Sequence, residues 1–340
     1  MIAKKLATAL AAAMLCAPQA QAQTEVQWWH SMGGALGEAL NGLANQFNAE
    51  QKEYKVVTSY KGSYPESMTA AIAAFRAGQA PHLLQVFEVG TATMMAAKGA
   101  VKPVYQLMKE ANEPFDPKAY LPTVTGYYSD TQGNMLSMPF NSSTALFYID
   151  RNKFKAAGLP PVPPKTWKEL VATAEKLKAA GQDCVYTTGW PSWVHVENFS
   201  AWHNVPIGTK QNGMGGLDTT FSINSPAHVK HITMLADMAK RGLFTYAGRT
   251  NQADAKFQGG ECAMATISAG ALGGTIKAGK TDWQLSFLPY HDDLQGAPQN
   301  SIIGGASLWV MSGRKAEEYK GVAKFLSFLS RSEVQMEWHI

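Results

Sequence analysis

The sequence predicts an α/β protein built as two lobes. Apolar runs of strand length alternate with segments of helical period, the order that produces parallel strand–helix–strand units. The run 83–87, Leu-Leu-Gln-Val-Phe, is almost wholly apolar, as strands inside parallel sheets are. The chain has 340 residues. The part beyond a leader exceeds the roughly 250–300 residues at which one core stops growing.

The elements follow in order. Residues 26–29 read as a short strand. A helix follows, with Leu36, Leu40, Leu43 and Phe47 at spacings of four, three and four. Residues 55–60 read as a strand, 67–75 as a helix stopped at Gly78, and 83–87 as a third strand. Two apolar runs, 136–140 and 145–149, flank Asn141-Ser142-Ser143-Thr144, four small hydrogen-bonding residues that suit a turn or a hinge. The Pro-rich connector 159–164 cannot be helix interior. Thr166-Trp167-Lys168-Glu169 opens a helix as a capping box, carried by Leu170, Ala174 and Leu177 and ended at Gly181. Ser225-Pro226 opens another, with Val229, Ile232, Leu235 and Met238 read as its inward face. Strands are expected at 184–187, 262–267, 284–287 and 307–311. A helix is expected over 315–329, with Tyr319, Val322, Leu326 and Leu329 inward. Residues 334–340 read as the middle of an element, with Trp338 near the end.

The N-terminus reads as a cleavable secretory leader. Lys4 and Lys5 precede an uncharged Ala/Leu-rich run, and Ala20-Gln21-Ala22 offers small residues where a signal peptidase reads. The run is shorter than the ~20 apolar residues a membrane span needs. Cys16 follows Leu15, a large side chain where a lipid-anchoring site needs a small one, so an ordinary leader over 1–22 is expected.

Removing Lys4 and Lys5 lowers the formal charge from +4 to +2. With no basic cluster anywhere, nucleic acid is excluded as a partner. Cys184 and Cys262 remain in an oxidising compartment, where they either pair or stay as buried thiols, and their spacing is not that of a metal site.

Catalytic signatures are absent, and no cofactor or metal is implied. His228 and His231 flank Lys230 on one helix without an HExxH pattern and read as a solvated face. His291-Asp292-Asp293 reads as a solvated loop. Gly274 to Thr281 matches GxxxxGK[ST] by letter, but the strand expected at 284–287 follows almost at once, so the match is read as chance.

Recognition chemistry remains. Trp190 and Trp193 flank Pro191-Ser192 just after a strand, and indole faces stack on the C–H faces of polyols. Glu88 directly follows the strand 83–87, where open α/β sheets bind ligands. Tyr64, after Lys61-Gly62-Ser63, follows another strand by the same logic. Gly304-Gly305 either bends the chain or lets backbone approach a solute closely.

Several blocks carry a resemblance. Trp29-His30-Ser31-Met32, Tyr60-Lys61-Gly62-Ser63-Tyr64, residues 73–78 and Phe257-Gln258-Gly259-Gly260-Glu261-Cys262-Ala263-Met264 look like the solute-binding proteins of ATP-driven importers, the family that includes maltose-binding protein. Residues 85–95, 302–311, 139–144 and 197–202 resemble the sn-glycerol-3-phosphate-binding branch of that family.

The resemblance implies a type II periplasmic binding fold, with two α/β lobes joined by a hinge and a ligand cleft between them. Residues 23–141 would form the first part of lobe 1, 142–302 lobe 2, and 303–340 a return to lobe 1. It implies that Tyr64, Glu88, Ser143, Ser268 and Gly305 hold glycerol phosphate and that Trp190 and Trp193 pack against the glycerol. It also implies a periplasmic soluble monomer that delivers sn-glycerol-3-phosphate, and small glycerophosphodiesters, to two membrane permease subunits with cytoplasmic ATPase subunits. Relatives of this kind run roughly a hundred residues longer. A tyrosine and an arginine reaching the phosphate are expected in that further portion. The rival expectations are a receptor for a neutral sugar and a secreted hydrolase.

Overall fold

The computed structural model describes residues 23–213, 215–216 and 218–339. The leader expected over 1–22 lies outside them. Ten strands are described: β1 Thr24–His30, β2 Tyr54–Tyr60, β3 Leu83–Phe87, β4 Val101–Lys102, β5 Met138–Asp150, β6 Cys184–Thr188, β7 Phe244–Tyr246, β8 Cys262–Ser268, β9 Trp283–Ser286 and β10 Ile303–Met311. They form a path β2-β1-β3-β10-β5-β8-β6-β7, with β4 on β10 and β9 on β5.

β5 is the pivot of that path. Its first residues pair antiparallel with β10, in the register Ser143 to Gly304 and Ser142 to Gly305. From Ala145 onward it pairs antiparallel with β8, and from Phe147 with β9. One 13-residue strand therefore belongs to both halves of the molecule. The small polar stretch Asn141 to Thr144 is continuous strand, where the sequence offered a turn as one alternative. Asn141, Ser143 and Thr144 are half-buried and Ser142 is exposed, because here the strand leaves one core before entering the next.

Within each half the pairing is partly parallel, as the alternation of elements predicts. β1 lies parallel between β2 and β3, and β6 lies parallel between β7 and β8. The first core gathers Trp28, Phe47, Phe140, Phe325 and Phe328 with aliphatic residues of the helices Gly34–Glu50 and Ala316–Leu329. Trp28 meets the edges of Phe140 and Phe325 at 5.2 and 5.3 Å, the favourable geometry for rings with a negative face and a positive edge. Trp338, on the closing helix Ser332–His339, stacks on Phe140 at 4.8 Å and donates its indole N–H to the Phe140 carbonyl.

The second core packs Trp167, Leu170, Ala174 and Leu177 of the helix Trp167–Ala179 on β6 and β8. Thr166 and Glu169 close that helix's N-terminus reciprocally, each side chain accepting from the other's backbone N–H at 3.1 Å. Cys184 and Cys262, a registered cross-strand pair, form a disulfide, which settles the choice the sequence left open.

Two sequence expectations fail together. On the helix Pro226–Lys240, His228 and His231 are buried, whereas Val229 and Ile232 are about half exposed. At 100° per residue, Val229 and Met238 point in opposite directions, so a run of threes cannot form one face. The spacing 228, 231, 235, 238 can. His291, expected in a solvated loop, is only 5% exposed. The buried rings satisfy one another: Tyr186 Oη, His195, His231 and His291 form a chain with steps of 3.3, 3.1 and 3.1 Å, and the His291 amide donates to His203 Nε2. Burial keeps these imidazoles neutral, pushing His195 down to about 3 and His291 to about 4; at His291 the His203 and Lys230 charges lower it further while Asp293 and Asp292 only partly offset them.

The letter match to a phosphate-binding loop also resolves. Gly274 to Ala278 lie inside the helix Leu272–Ala278, and Gly279 ends it in the left-handed region. The run therefore occupies the wrong end of a helix to offer amides to a phosphate.

Candidate functional site

Where β5 and β10 run between the two halves, residues from both converge. Ser63 and Glu66 form a capping box that starts a helix at Tyr64, so the tyrosine sits on its first turn. The Tyr64 ring stacks on Phe87 at 5.3 Å, nearly parallel, and meets Trp190 of the other half at 6.2 Å. Its hydroxyl accepts from Asn141 Nδ2 at 3.4 Å, and Asn141 is held in turn by Gln85 at 2.9 Å.

Glu88 follows β3 at its carboxyl end. Its Oε2 accepts the Gly305 N–H at 3.1 Å, and its backbone carbonyl accepts from Tyr127 Oη at 2.8 Å. Gly305 needs to be glycine twice over: its φ is +131°, and a Cβ would fall 2.0 Å from the Asn141 carbonyl oxygen. The close approach at Gly305 is to the backbone of β5 at Asn141 and Ser142.

Trp190 and Trp193 follow β6. Trp190 has φ +48°, a left-handed conformation costly for a bulky residue, and its N–H is tied to the Thr250 carbonyl at 2.9 Å. Trp193 opens a π-helical turn, Trp193–Asn198, a rare geometry frequent at functional sites. Its indole packs so close to Gly304 that a Cβ there would come within 2.8 Å of it. Trp193 is only 7% exposed, and its indole N–H is buried with no partner. Asn198, which ends the turn, accepts from the Ile302 amide at 3.2 Å and so couples the turn to the strand entering β10.

Ser268 ends β8 beside Ala145. Its hydroxyl accepts from the Gly270 N–H at 3.1 Å, which leaves its own proton for another partner. Ser143 sits opposite Gly304. Tyr64, Glu88, Asn141 and Gly305 are thus joined by contacts, and Trp190 and Trp193 lie against Tyr64 and Gly304. Ser143 and Ser268 reach the same region through their strand registers, at the seam of β5 with β10 and β8.

The electrostatics favour neutral donors. Burial pushes the Glu88 carboxyl up to about 7, the Glu88 and Gly305 amides pull it back, and the Glu197 carboxylate raises it further. Burial likewise raises Tyr64, with Glu88 adding to the shift, and raises Glu197. A carboxyl near 7 is partly protonated at neutral pH and both donates and accepts, which suits an oxygen-rich solute carrying negative charge. Glu197, on the π-helical turn, was not singled out by sequence reasoning. Its only signal was membership of the block 197–202.

An apolar cavity of about 660 Å³ lies elsewhere, beside the helix Tyr64–Arg76, with Met68, Phe75, Leu84 and Met311 among its walls. It lacks convergent polar groups, so the polar seam fits solute recognition better. Among the described residues no group of three or more His, Cys, Asp or Glu side chains is placed to hold a metal. No described helix is long and apolar enough to cross a membrane.

The family model for bacterial extracellular solute-binding proteins matches residues 42–340. The chain belongs to that family. This solute-binding protein is 50% identical over 337 residues to the sn-glycerol-3-phosphate-binding periplasmic protein UgpB of Yersinia pestis bv. Antiqua (strain Antiqua), covering 98% of this chain and 76% of that protein. It is 51% identical over 335 residues to the protein of the same name from Escherichia coli O1:K1 / APEC, again covering 98% and 76%. Among solved structures it shares its fold with UgpB from Mycobacterium tuberculosis in complex with glycerophosphocholine, at TM-score 0.77 and 19% identity over 93% of this chain and 80% of that one. Maltose-bound MalE3 of T. maritima shares it too, at TM-score 0.78 and 17% identity over 92% and 79%. The two-lobe fold of periplasmic binding proteins, expected from the resemblance, is thereby established.

Proposed function

We propose that this chain is the non-catalytic solute receptor of an ATP-driven importer. It captures sn-glycerol-3-phosphate in the periplasm, together with glycerophosphodiesters bearing a small head group, and presents it to two permease subunits served by cytoplasmic ATPases. The observation that carries the reading is the Glu88–Gly305 contact at the seam of the lobes, set among Tyr64, Asn141, Ser143, Ser268, Trp190 and Trp193. It is supported by the name borne by the relatives at 50–51% identity and by the glycerophosphocholine complex of the structural neighbour.

In this reading the serine hydroxyls, the Tyr64 phenol and the Glu88 carboxyl take the glycerol oxygens. The indoles cover its C–H faces. The solute bridges groups from both lobes, so it stabilises the closed form over the open one by its differential contacts. The bridging strands β5 and β10 hold residues 23–141 and 303–340 as one lobe and 142–302 as the other.

A hydrolase would instead turn over a diester. Incubation with glycerophosphocholine should release no choline beyond one equivalent. Addition of glycerol-3-phosphate should change the tryptophan fluorescence saturably, and this signal should shrink in Trp190→Phe. Sustained choline release, or no fluorescence response at millimolar ligand, contradicts the proposal.

A further inference from the structure

The letter match Gly274 to Thr281 contains a lysine that the phosphate-loop reading leaves without a task. Lys277 stands in the last turn of the helix Leu272–Ala278, within residues 142–302, and its Nζ donates to Glu38 Oε2 at 2.8 Å. Glu38 stands near the start of the helix Gly34–Glu50, within residues 23–141, and the two helices touch. The pair therefore spans the two lobes. Every other ion pair among the described residues joins groups of one lobe, as Lys102–Glu110 does in the first and Arg151–Asp282 in the second.

Each partner is already secured by its own lobe. On the lobe 2 helix the buried Thr275 hydroxyl donates to the Ala271 carbonyl at 2.9 Å, and Gln258 Nε2 donates to the same carbonyl at 3.1 Å. On the lobe 1 helix Leu40 and Leu43 are buried in the first core. The ion pair is not needed to fold either helix, so what it contributes goes to holding the lobes together. Tyr64 and Trp190 also meet across the lobes, at 6.2 Å, but both belong to the candidate site. Glu38 and Lys277 stand outside it.

We propose that Glu38 and Lys277 are positioning residues that set solute affinity by latching the closed form. Opening the lobes separates the two charges, so the pair stabilises the closed form and not the open one. A receptor whose open form dominates without solute binds in proportion to its closed fraction. The contribution of the pair then appears in full in the dissociation constant. The side chains are 63% and 70% exposed, and a pair so open to water supplies a factor of up to about five. The inference rests on the reading that the chain closes around a glycerol phosphate.

The test exchanges the charges. Wild type, Glu38→Lys, Lys277→Glu and the swapped double variant are titrated calorimetrically with glycerol-3-phosphate, and binding and release rates are followed by tryptophan fluorescence. Both positions are exposed, so all three variants should unfold close to the wild-type temperature. Each single variant sets like charges against each other and should bind about three- to tenfold more weakly, through faster release at a nearly unchanged association rate. The double variant should return to within about twofold of wild type. The differences should shrink in about 1 M salt, where the screening length is about 3 Å. Simple attraction of an anionic solute predicts another pattern: Lys277→Glu adds negative charge and Glu38→Lys adds positive charge, so their affinities would move in opposite directions, through the association rate. Opposite shifts, unchanged affinity in the single variants, or a double variant no better than the singles overturn the latch and leave the receptor reading standing. Failure of wild type to bind glycerol-3-phosphate overturns that reading and this inference with it.

Discussion

Gly305 donates its backbone N–H to Glu88 Oε2 at 3.1 Å, joining β10 to the acid that directly follows β3. The bond exists because Gly305 holds φ +131° with no side chain between it and the Asn141 carbonyl. Gly305→Ala should accordingly cost at least roughly 3 kcal/mol, from left-handed strain and a Cβ forced onto backbone. Chemical denaturation of the variant measures it. A midpoint equal to wild type would mean that the strand passes this point differently.

Glu88 titrates near 7 in the fold against an ordinary 4.5. Its folded pKa is raised, so the native state binds the extra proton. Its contribution to stability is present below the ordinary value and is lost as pH rises through 7. Compared with wild type, Glu88→Gln should gain stability between pH 5 and 8, on the order of 2 kcal/mol after allowing for partial exposure. A stability difference that does not vary with pH would show Glu88 to be ionised and well solvated.

The buried histidines act in the opposite sense. His195, His231 and His291 have lowered folded values, so the unfolded chain binds more protons below about 6.5. Their contribution to stability is complete above that value and is lost as pH falls, on the order of 2 kcal/mol by pH 5 for each that titrates independently. His231→Leu, which interrupts the chain, should flatten the fall in stability between pH 7 and 5 relative to wild type. Equal slopes would mean that the histidines are already charged in the folded state.

Cys184 and Cys262 enclose a loop 78 residues apart in sequence. Closing a loop of that length in the unfolded chain stabilises the fold by roughly 4 kcal/mol in the chain-entropy model. Cys184→Ser with Cys262→Ser should lower the thermal midpoint by several degrees while glycerol-3-phosphate affinity stays within about twofold. An unchanged midpoint would argue that the loop is already ordered when the chain unfolds.

Much of this was legible in the residues. The runs 83–87 and 262–267, the capping box at Thr166 and the punctuation at Gly181 led directly to elements, because local rules of period and capping suffice for them. The seven candidate site residues came from motif likeness joined to strand ends; contacts tie Tyr64 to Trp190, Glu88 to Gly305 and Trp193 to Gly304, while Ser143 and Ser268 are placed by strand register alone. What stayed hidden depends on partners distant in sequence. Nothing near His228 or His231 announces that His195 and His291 will hydrogen-bond His231, so a polar residue beside Lys230 looked solvated. The strand continuity through Asn141–Thr144 is fixed by Ile303 to Ala306, more than 150 residues away, which no local pattern encodes.

The most direct measurement is a calorimetric titration of the purified chain with sn-glycerol-3-phosphate and, separately, with maltose. The account predicts saturable one-to-one binding of glycerol-3-phosphate, weakened about tenfold or more in Trp190→Ala, and no heat from maltose at the same concentrations. Tighter binding of maltose than of glycerol-3-phosphate would contradict it.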